Sequence, residues 1–533
     1  MKKQTKPSGF YPFLILFHNK TYSQKYEQIF MKQKILLWLT GYDWTEFSIA
    51  YYMQKTQNYE FYAIIDTQDN PKEFFETQSL VTFKKIWFYH DFVNVSTIKK
   101  NDLINSFEKK YNIPAMSIAK NDRIFMEKYN VFHKFSNEEI LQIVGNECQL
   151  FETVLDEVKP DFFLSLETAF RPHHFFYLAC RSKHVKILML NTANWGDYCY
   201  ISENYHKLEN FQEKFFETKT EKTSYDEQQK RLSSMKLSNK TKTFFKNQQK
   251  SEVSKFSAAF YYLFKSKNKT QKTHYTHYGR TKLKVLLNEI SINFKRKSRK
   301  KFIDENLSYQ IPNNQNLIFF ALQQEPERSL LISAPDYIDQ VENINFIAKS
   351  MPKNYHLVVK EHPTQGPPTR DWRPKSDYKK MMNTPNVTMI HPSVPADKIM
   401  KKSKLIISVS GTVALESTFF GIPSITFADN DYPLIPSVSK LNTKNELPKL
   451  IEKSLGNTSN NADNVKKYFD ILEKNSFIFN LYEFQLAYYQ QLYFDANLFD
   501  VKISENNLKK FLLNQKENLE NLANEFNKKI SQD

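Results

Sequence analysis

Between residues 317 and 427 short apolar, β-rich runs recur with room for one helix between most neighbours, which is the spacing a parallel sheet imposes on a chain. The runs lie at 317–322, 356–360, 387–390, 405–409 and 424–427. Between the first two, Ile338, Val341, Ile344, Ile347 and Ala348 recur at helical spacing and share one face. An earlier stretch carries the same alternation. Runs at 34–39, 61–66, 162–166 and 187–190 flank helical patterns, and Thr40-Gly41 leads from the first into a helix expected over 45–53. The reading is an α/β chain of two Rossmann-like, doubly wound domains facing a central cleft.

The two halves are separated by a Lys-, Gln-, Ser- and Thr-rich stretch, 207–310, expected as a helical or flexible insertion. The resulting division is an N-terminal arm at 1–29, a first Rossmann-like half at 30–206, the insertion, a second Rossmann-like half at 311–456 and C-terminal helices at 457–533. In that last unit Leu508, Leu512, Leu519, Leu522 and Phe526 recur at a spacing suited to packing back on the body. With 41% apolar and 25% charged residues the chain is globular rather than disordered. Three cysteines without a CxxC pair argue against a disulfide framework and for a reducing compartment. The longest apolar run, 10–17, is too short to cross a bilayer and contains Pro12; Lys2 and Lys3 precede it, but no small-residue cleavage site follows.

A net charge of +17 predicts attraction to polyanions. No C2H2 spacing or RNP-type run points to specific nucleic-acid readout. Part of the charge is concentrated: Lys295, Arg296, Lys297, Arg299, Lys300 and Lys301 follow the mostly apolar segment containing Leu283, Val285, Leu286, Leu287, Ile290 and Ile292. Basic amphipathic segments of this kind bind anionic membrane surfaces. The expectation is a cytoplasmic protein, peripheral on the inner face of the plasma membrane.

Only 9 glycines occur in 533 residues, so those at strand ends carry information. One is in Ser410-Gly411-Thr412, where an apolar strand meets an expected helix start. Free N–H groups and two hydroxyls there suit a phosphate, and Glu416, one turn on, is placed for ribose hydroxyls. Lys360-Glu361-His362-Pro363 follows another strand of the same half. Ligands of open α/β sheets collect at that edge, so His362, its backbone biased by Pro363, and Lys360 would face the same crevice. His391-Pro392 follows a neighbouring strand. The run Gln323-Gln324-Glu325-Pro326-Glu327-Arg328 offers the cleft a carboxylate at Glu327 and a guanidinium at Arg328. From the first half, Asp43 and Glu46 follow Gly41 and are candidate bases for an acceptor hydroxyl. Walker A, GxGxxG, HExxH and a convincing GxSxG are all absent, so no metal and no cofactor is expected.

Gln324-Glu325-Pro326-Glu327, Tyr337-Ile338-Asp339-Gln340, Val359-Lys360-Glu361-His362-Pro363, Ser410-Gly411-Thr412 with Glu416, and Gly421-Ile422-Pro423 together resemble the capsule polysaccharide biosynthesis family. That family includes bacterial capsule Kdo-transferases, and its fold is similar to GT-B glycosyltransferases. The resemblance covers about 311–456, and Asp43-Trp44, Glu46-Phe47 and Asp122-Arg123 extend it loosely into the first half. It implies that His362 and Pro363 hold the nucleotide and that Ser410, Gly411 and Thr412 form the phosphate-binding turn. The activity implied is transfer of a sugar from a nucleotide-activated donor, a CMP-sugar by preference, to a polysaccharide or lipid-linked acceptor. Epimerisation of a nucleotide sugar, transfer from a CDP-alcohol, and a non-catalytic membrane- or polyanion-binding role are the competing readings.

Overall fold

The computed structural model describes residues 32–94, 101–235, 252–313, 316–367, 370–457 and 461–532; the arm at 1–29, with its apolar run, lies outside the described residues. The first sheet contains β1 (Lys34–Thr40), β2 (Glu60–Asp66), β3 (Phe83–Phe88), β4 (Phe162–Leu166), β5 (Lys186–Thr192) and β6 (Tyr198–Ser202). The second contains β7 (Asn316–Ala321), β8 (Tyr355–Lys360), β9 (Val387–Ile390), β10 (Ser403–Ser408), β11 (Ser424–Thr426) and β12 (Val438–Lys440). A two-residue strand near the C-terminus, β13 (Phe477–Ile478), returns to the first sheet, giving the orders β13-β6-β5-β4-β1-β2-β3 and β12-β11-β10-β7-β8-β9. The second sheet is parallel throughout, whereas β6 and β13 run antiparallel at one edge of the first.

Both orders reverse direction once, between β1 and β4 and between β7 and β10. Each half is therefore doubly wound, with a crevice beyond the C-terminal ends of those central strands. The continuous apolar runs have a physical reason, because helices cover both faces of each sheet. Ile35, Leu37 and Leu39 enter one core with Phe47 and Tyr52, while Leu36 and Trp38 enter another with Phe163 and Phe176.

The C-terminal helices complete the first of those cores. Leu508, Leu512, Leu519, Leu522 and Phe526 are buried beside Ile35 and Leu37. Tyr493 Oη donates to Gly41 O at 2.7 Å and accepts from Trp44 Nε1 at 2.6 Å, so the far end of the chain clamps the loop after β1. Gly41 itself has no room for a side chain, since a Cβ there would lie 1.9 Å from Thr67 Oγ1.

Where it is described, the stretch 207–310 is largely helical, and it is anchored to both halves. Phe211 and Phe215 pack with Tyr432 and Phe469, Arg231 pairs with Asp470 and Glu473, and Tyr275 is fully buried in the first half against Tyr89 and Arg171. Ile303, near the end of the helix Lys282–Asn306, belongs to the core of the second half. A few widely spaced aromatic and aliphatic anchors hold this segment to both halves, and its Lys/Gln-rich average conceals them. Its basic run is partly occupied as well: Arg296 pairs with Asp371 at 2.5 Å, Arg299 donates to Trp372 O at 2.6 Å, and Lys300 pairs with Asp304. Among the described residues no helix is long and apolar enough to cross a membrane.

Candidate functional site

At the crevice of the second half, the loop after β7 touches both predicted motifs. Gln323 Nε2 donates to Ser408 Oγ at 2.9 Å and Ser410 Oγ donates to Gln323 Oε1 at 3.3 Å. One residue on, Gln324 Nε2 donates to Thr364 O at 3.2 Å. The Ser-Gly-Thr turn after β10 and the His362 turn after β8 therefore share one edge. They are separated by β7, or about 10 Å at two interstrand spacings. Gly411 is required by close approach, because a Cβ would stand 2.7 Å from Ser408 Oγ and 3.0 Å from Gln323 Nε2.

That turn is short and bonded within itself. The α-helix after it is only Val413–Glu416, continued by the 3-10 turn Ser417–Phe420, because Gly421 leaves the helical path at φ +67° and Pro423 follows. So short a helix carries little macrodipole. Gly411 N–H is already donated to Ser408 Oγ at 3.0 Å. Thr412 Oγ1 donates to Glu416 Oε1 at 3.0 Å, and Glu416 is partly exposed.

His362 is held with more definition. Its Nδ1 accepts from Thr364 N–H at 3.2 Å and lies 2.8 Å from Thr364 Oγ1, so a neutral ring carries its proton on Nε2. Burial, reinforced by Lys360 and Arg373, holds its pKa down to about 4, so near neutrality Nε2–H is a donor without a full charge. Pro363 is exposed beside it. Lys360 is buried and its Nζ donates to Glu361 O at 3.3 Å, so it contributes potential from beneath the edge.

Sequence reasoning missed what fixes this turn. Glu361 accepts from Arg373 Nε at 2.7 Å, Tyr378 Oη at 2.9 Å and His362 N–H at 2.9 Å. Arg373 also pairs with Glu325 and donates to Gln323 O at 2.7 Å. Burial favours a neutral Glu325, but Arg373 and then Lys128 outweigh it and hold the carboxyl down to about 2.

In the first half, Asp43 and Glu46 diverge in role. Asp43 Oδ1 accepts from Thr45 N–H at 2.9 Å and Oδ2 from Gln485 Nε2 at 3.0 Å, the contacts of a residue that pins a helix start. Glu46 is buried, and its Oε1 accepts from Leu166 N–H at 3.1 Å at the end of β4, which places it at the switch point. Burial, then the charge of Asp43, pushes the Glu46 carboxyl well above its ordinary range; burial raises Asp43 also. Nearby is a histidine group that no motif announced. His90 Nε2 lies 3.0 Å from Asp66 Oδ1 at the end of β2, the rings of His90 and His274 are 4.1 Å apart, and Gln68 bonds His277. Burial holds His274 and His277 down to about 3. Residues 90, 274 and 277 are too far apart in sequence for spacing to reveal them.

The two edges meet. Lys128 Nζ reaches Glu325 at 2.6 Å and Tyr129 Oη donates to it at 3.1 Å. Arg328 Nε donates to Thr168 O at 2.9 Å, with its guanidinium 3.4 Å above the Tyr205 ring, so Arg328 is a strut between the halves. Glu327 accepts from Ser329 Oγ at 2.9 Å, and burial raises its carboxyl despite Arg370 and Arg123. His391 stands apart from this group. It follows β9 at the sheet edge, 3.1 Å from Asp304 and stacked on Tyr309, and so anchors the helix Lys282–Asn306 rather than lining the crevice. A concavity of about 600 Å³ bordered by Gln33, Thr56, Asn524 and Lys528 lies beyond the opposite edge of the first sheet and holds no candidate residue. Among the described residues no group of three or more His, Cys, Asp or Glu is placed to hold a metal ion.

Residues 207–434 match the family model described as capsule polysaccharide biosynthesis protein, a span that includes the whole crevice of the second half. No curated protein matches the chain. Among solved structures, UDP-GlcNAc 2-epimerase from Neisseria meningitidis bound to UDP-GlcNAc is 14% identical, with 83% of this chain and 99% of that one covered at a TM-score of 0.24. CalG4, the calicheamicin glycosyltransferase, is 11% identical, with 87% and 99% covered at a TM-score of 0.26.

Proposed function

We propose that this chain is a glycosyltransferase that moves a sugar from a nucleotide-activated donor, a CMP-sugar by preference, to a surface or capsular polysaccharide or a lipid-linked acceptor. The family match over 207–434 supports the class. The observation that carries the reading is the loop 323–328. It contacts the Ser410 turn and the Thr364 carbonyl on one side and reaches the first half through Glu325 and Arg328 on the other. Donor grip and acceptor edge are thereby one mechanical unit.

In this reading the nucleotide phosphate sits against His362 and the Ser410–Thr412 turn. As the bond from anomeric carbon to phosphate oxygen breaks, negative charge grows on that oxygen. His362 Nε2–H donates to it, and Lys360 lowers its energy through space. The acceptor hydroxyl attacks from the first half and gives its proton to Glu46, whose raised pKa suits a base that must accept one. Glu327 is the carboxylate of the opposite edge, and Asp43 positions Glu46. The bridged edges limit access of water, which would otherwise hydrolyse the donor. A lipid-linked acceptor puts the enzyme at the inner face of a membrane.

The test is thermal stabilisation by CMP, CDP and UDP, followed by product analysis with and without acceptor. The expected result is CMP-selective stabilisation, reduced by His362→Ala, with sugar transfer only when acceptor is present. Isomerised donor without acceptor would overturn the reading in favour of an epimerase.

A further inference from the structure

Two helices of the stretch 207–310 expose large apolar side chains along a single line each. On the helix Glu252–Phe264, Phe256, Phe260 and Phe264 are 56–76% exposed, at steps of four residues. The opposite side of that helix is the docked one: Ala258 is buried, and Tyr261 packs on the core of the first half and accepts from Lys502 N–H at 3.1 Å. The phenylalanines point away from the body. On the helix Lys282–Asn306, Leu283, Leu287, Ile290 and Phe294 are 56–71% exposed, and their steps of four, three and four keep them within about 60° of arc.

The two lines join. Lys282 Nζ donates to Leu263 O at 2.7 Å, which sets the first turn of the second helix against the last turn of the first. The second helix is about 37 Å long, and beyond that first contact its far end is fastened through Ile303 in the core, Arg296 to Asp371 and Arg299 to Trp372 O. Beyond Phe294 the same face continues at helical steps with Lys297 and Lys301, both exposed, and Lys284 and Lys295 flank it. Between Lys282 and Arg299 the only carboxylate is Glu289.

We infer that these two helices form a docking surface for an anionic phospholipid leaflet, lying in its plane with the apolar line among the acyl chains and the lysines at the headgroups. The inference deepens the membrane-side part of the proposed function. Charge decides the occupant. A second copy of the chain would press the same cationic flank against itself. A nucleic acid would satisfy the lysines but offer nothing to seven aliphatic and aromatic side chains held in water. An anionic leaflet satisfies both.

Cosedimentation of the full chain with vesicles of phosphatidylcholine alone, and of phosphatidylcholine mixed with phosphatidylglycerol, tests this with no sugar present. The expected result is binding to the anionic vesicles only. Phe260→Ser with Ile290→Ser should weaken it roughly tenfold, and Lys297→Gln with Lys301→Gln several-fold. All four positions are exposed, so unchanged melting and unchanged stabilisation by CMP show that the variants are folded. Equal vesicle binding by wild type and the apolar variant overturns the inference. So does a wild-type dimer in sedimentation velocity that the apolar variant dissociates, which would give the face to a second copy. If no nucleotide stabilises any form while vesicle binding follows the expected order, the enzymatic reading fails and the docking surface stands.

Discussion

The two sheets share one winding, and their functional edges have opposite electrostatic character. At the first, burial pushes the carboxyls of Asp43 and Glu46 up and holds His274 and His277 down to about 3, so burial weighs against the charged form of each. At the second, Arg373 sits between Glu361 and Glu325, and Glu325 is held down to about 2, so full charges are locked in pairs. A single topology thus supports an edge whose groups can exchange protons and an edge whose charges stay fixed. Glu327 and His362 are the exceptions on the second edge, since both are held toward neutrality where the halves meet.

The widest test of this contrast is Glu46→Gln, expected to lower kcat by about 10²–10⁴-fold while nucleotide stabilisation is unchanged. If Glu327→Gln shows that loss and Glu46→Gln does not, proton exchange belongs to the other edge and the contrast breaks. Next in size is Arg373→Met, which strands two buried carboxylates. Its expected cost is about 3–5 kcal/mol in denaturant unfolding, against about 1 kcal/mol or less for Glu46→Gln, whose amide oxygen still accepts from Leu166 N–H.

Acid should separate the halves. The folded state lowers the pKa of His274 and His277, so their contribution is complete above the unfolded value near 6.5 and is lost as pH falls toward 3. At pH 5 the loss is about 2 kcal/mol for each. In the second half His362, at about 4, is a single histidine sharing this loss, while the contribution of Glu325 is present above the ordinary Glu value of about 4.3 and is lost only as pH falls through about 2. Hydrogen exchange at pH 5 should show β1–β5 deprotected ahead of β7–β11; equal loss in both would break the comparison. The smallest effect is His362→Ala, expected to weaken nucleotide binding about tenfold, with His362→Gln recovering part of it by restoring a donor.

The strands were legible because helices on both faces force unbroken apolar runs such as Ile35–Leu39 and Leu317–Phe320. Gly411 was legible because the chain has so few glycines and this one follows a strand. The pairing of Glu361 with Arg373 was not, since an ion pair across a loop leaves no periodicity. Nor was the approach of His274 to His90, which depends on a segment whose composition reads as solvent-exposed. The helix start after Thr412 was legible from the strand and the Ser-Gly-Thr turn, and its shortness follows from Gly421 and Pro423. His391-Pro392 shows the limit of motif form: the same dipeptide as His362-Pro363 follows an edge strand and meets Asp304 instead of the crevice.

The clamp of Tyr493 on Gly41 and Trp44 has a consequence for synthesis. A nascent polypeptide emerging from the ribosome has the second sheet complete by Lys440. The first still lacks β13 and the hydroxyl that holds the loop ahead of Glu46. The half that is translated first is therefore the one finished last, and a message truncated before codon 493 would yield a product with its second sheet built and its first unsupported.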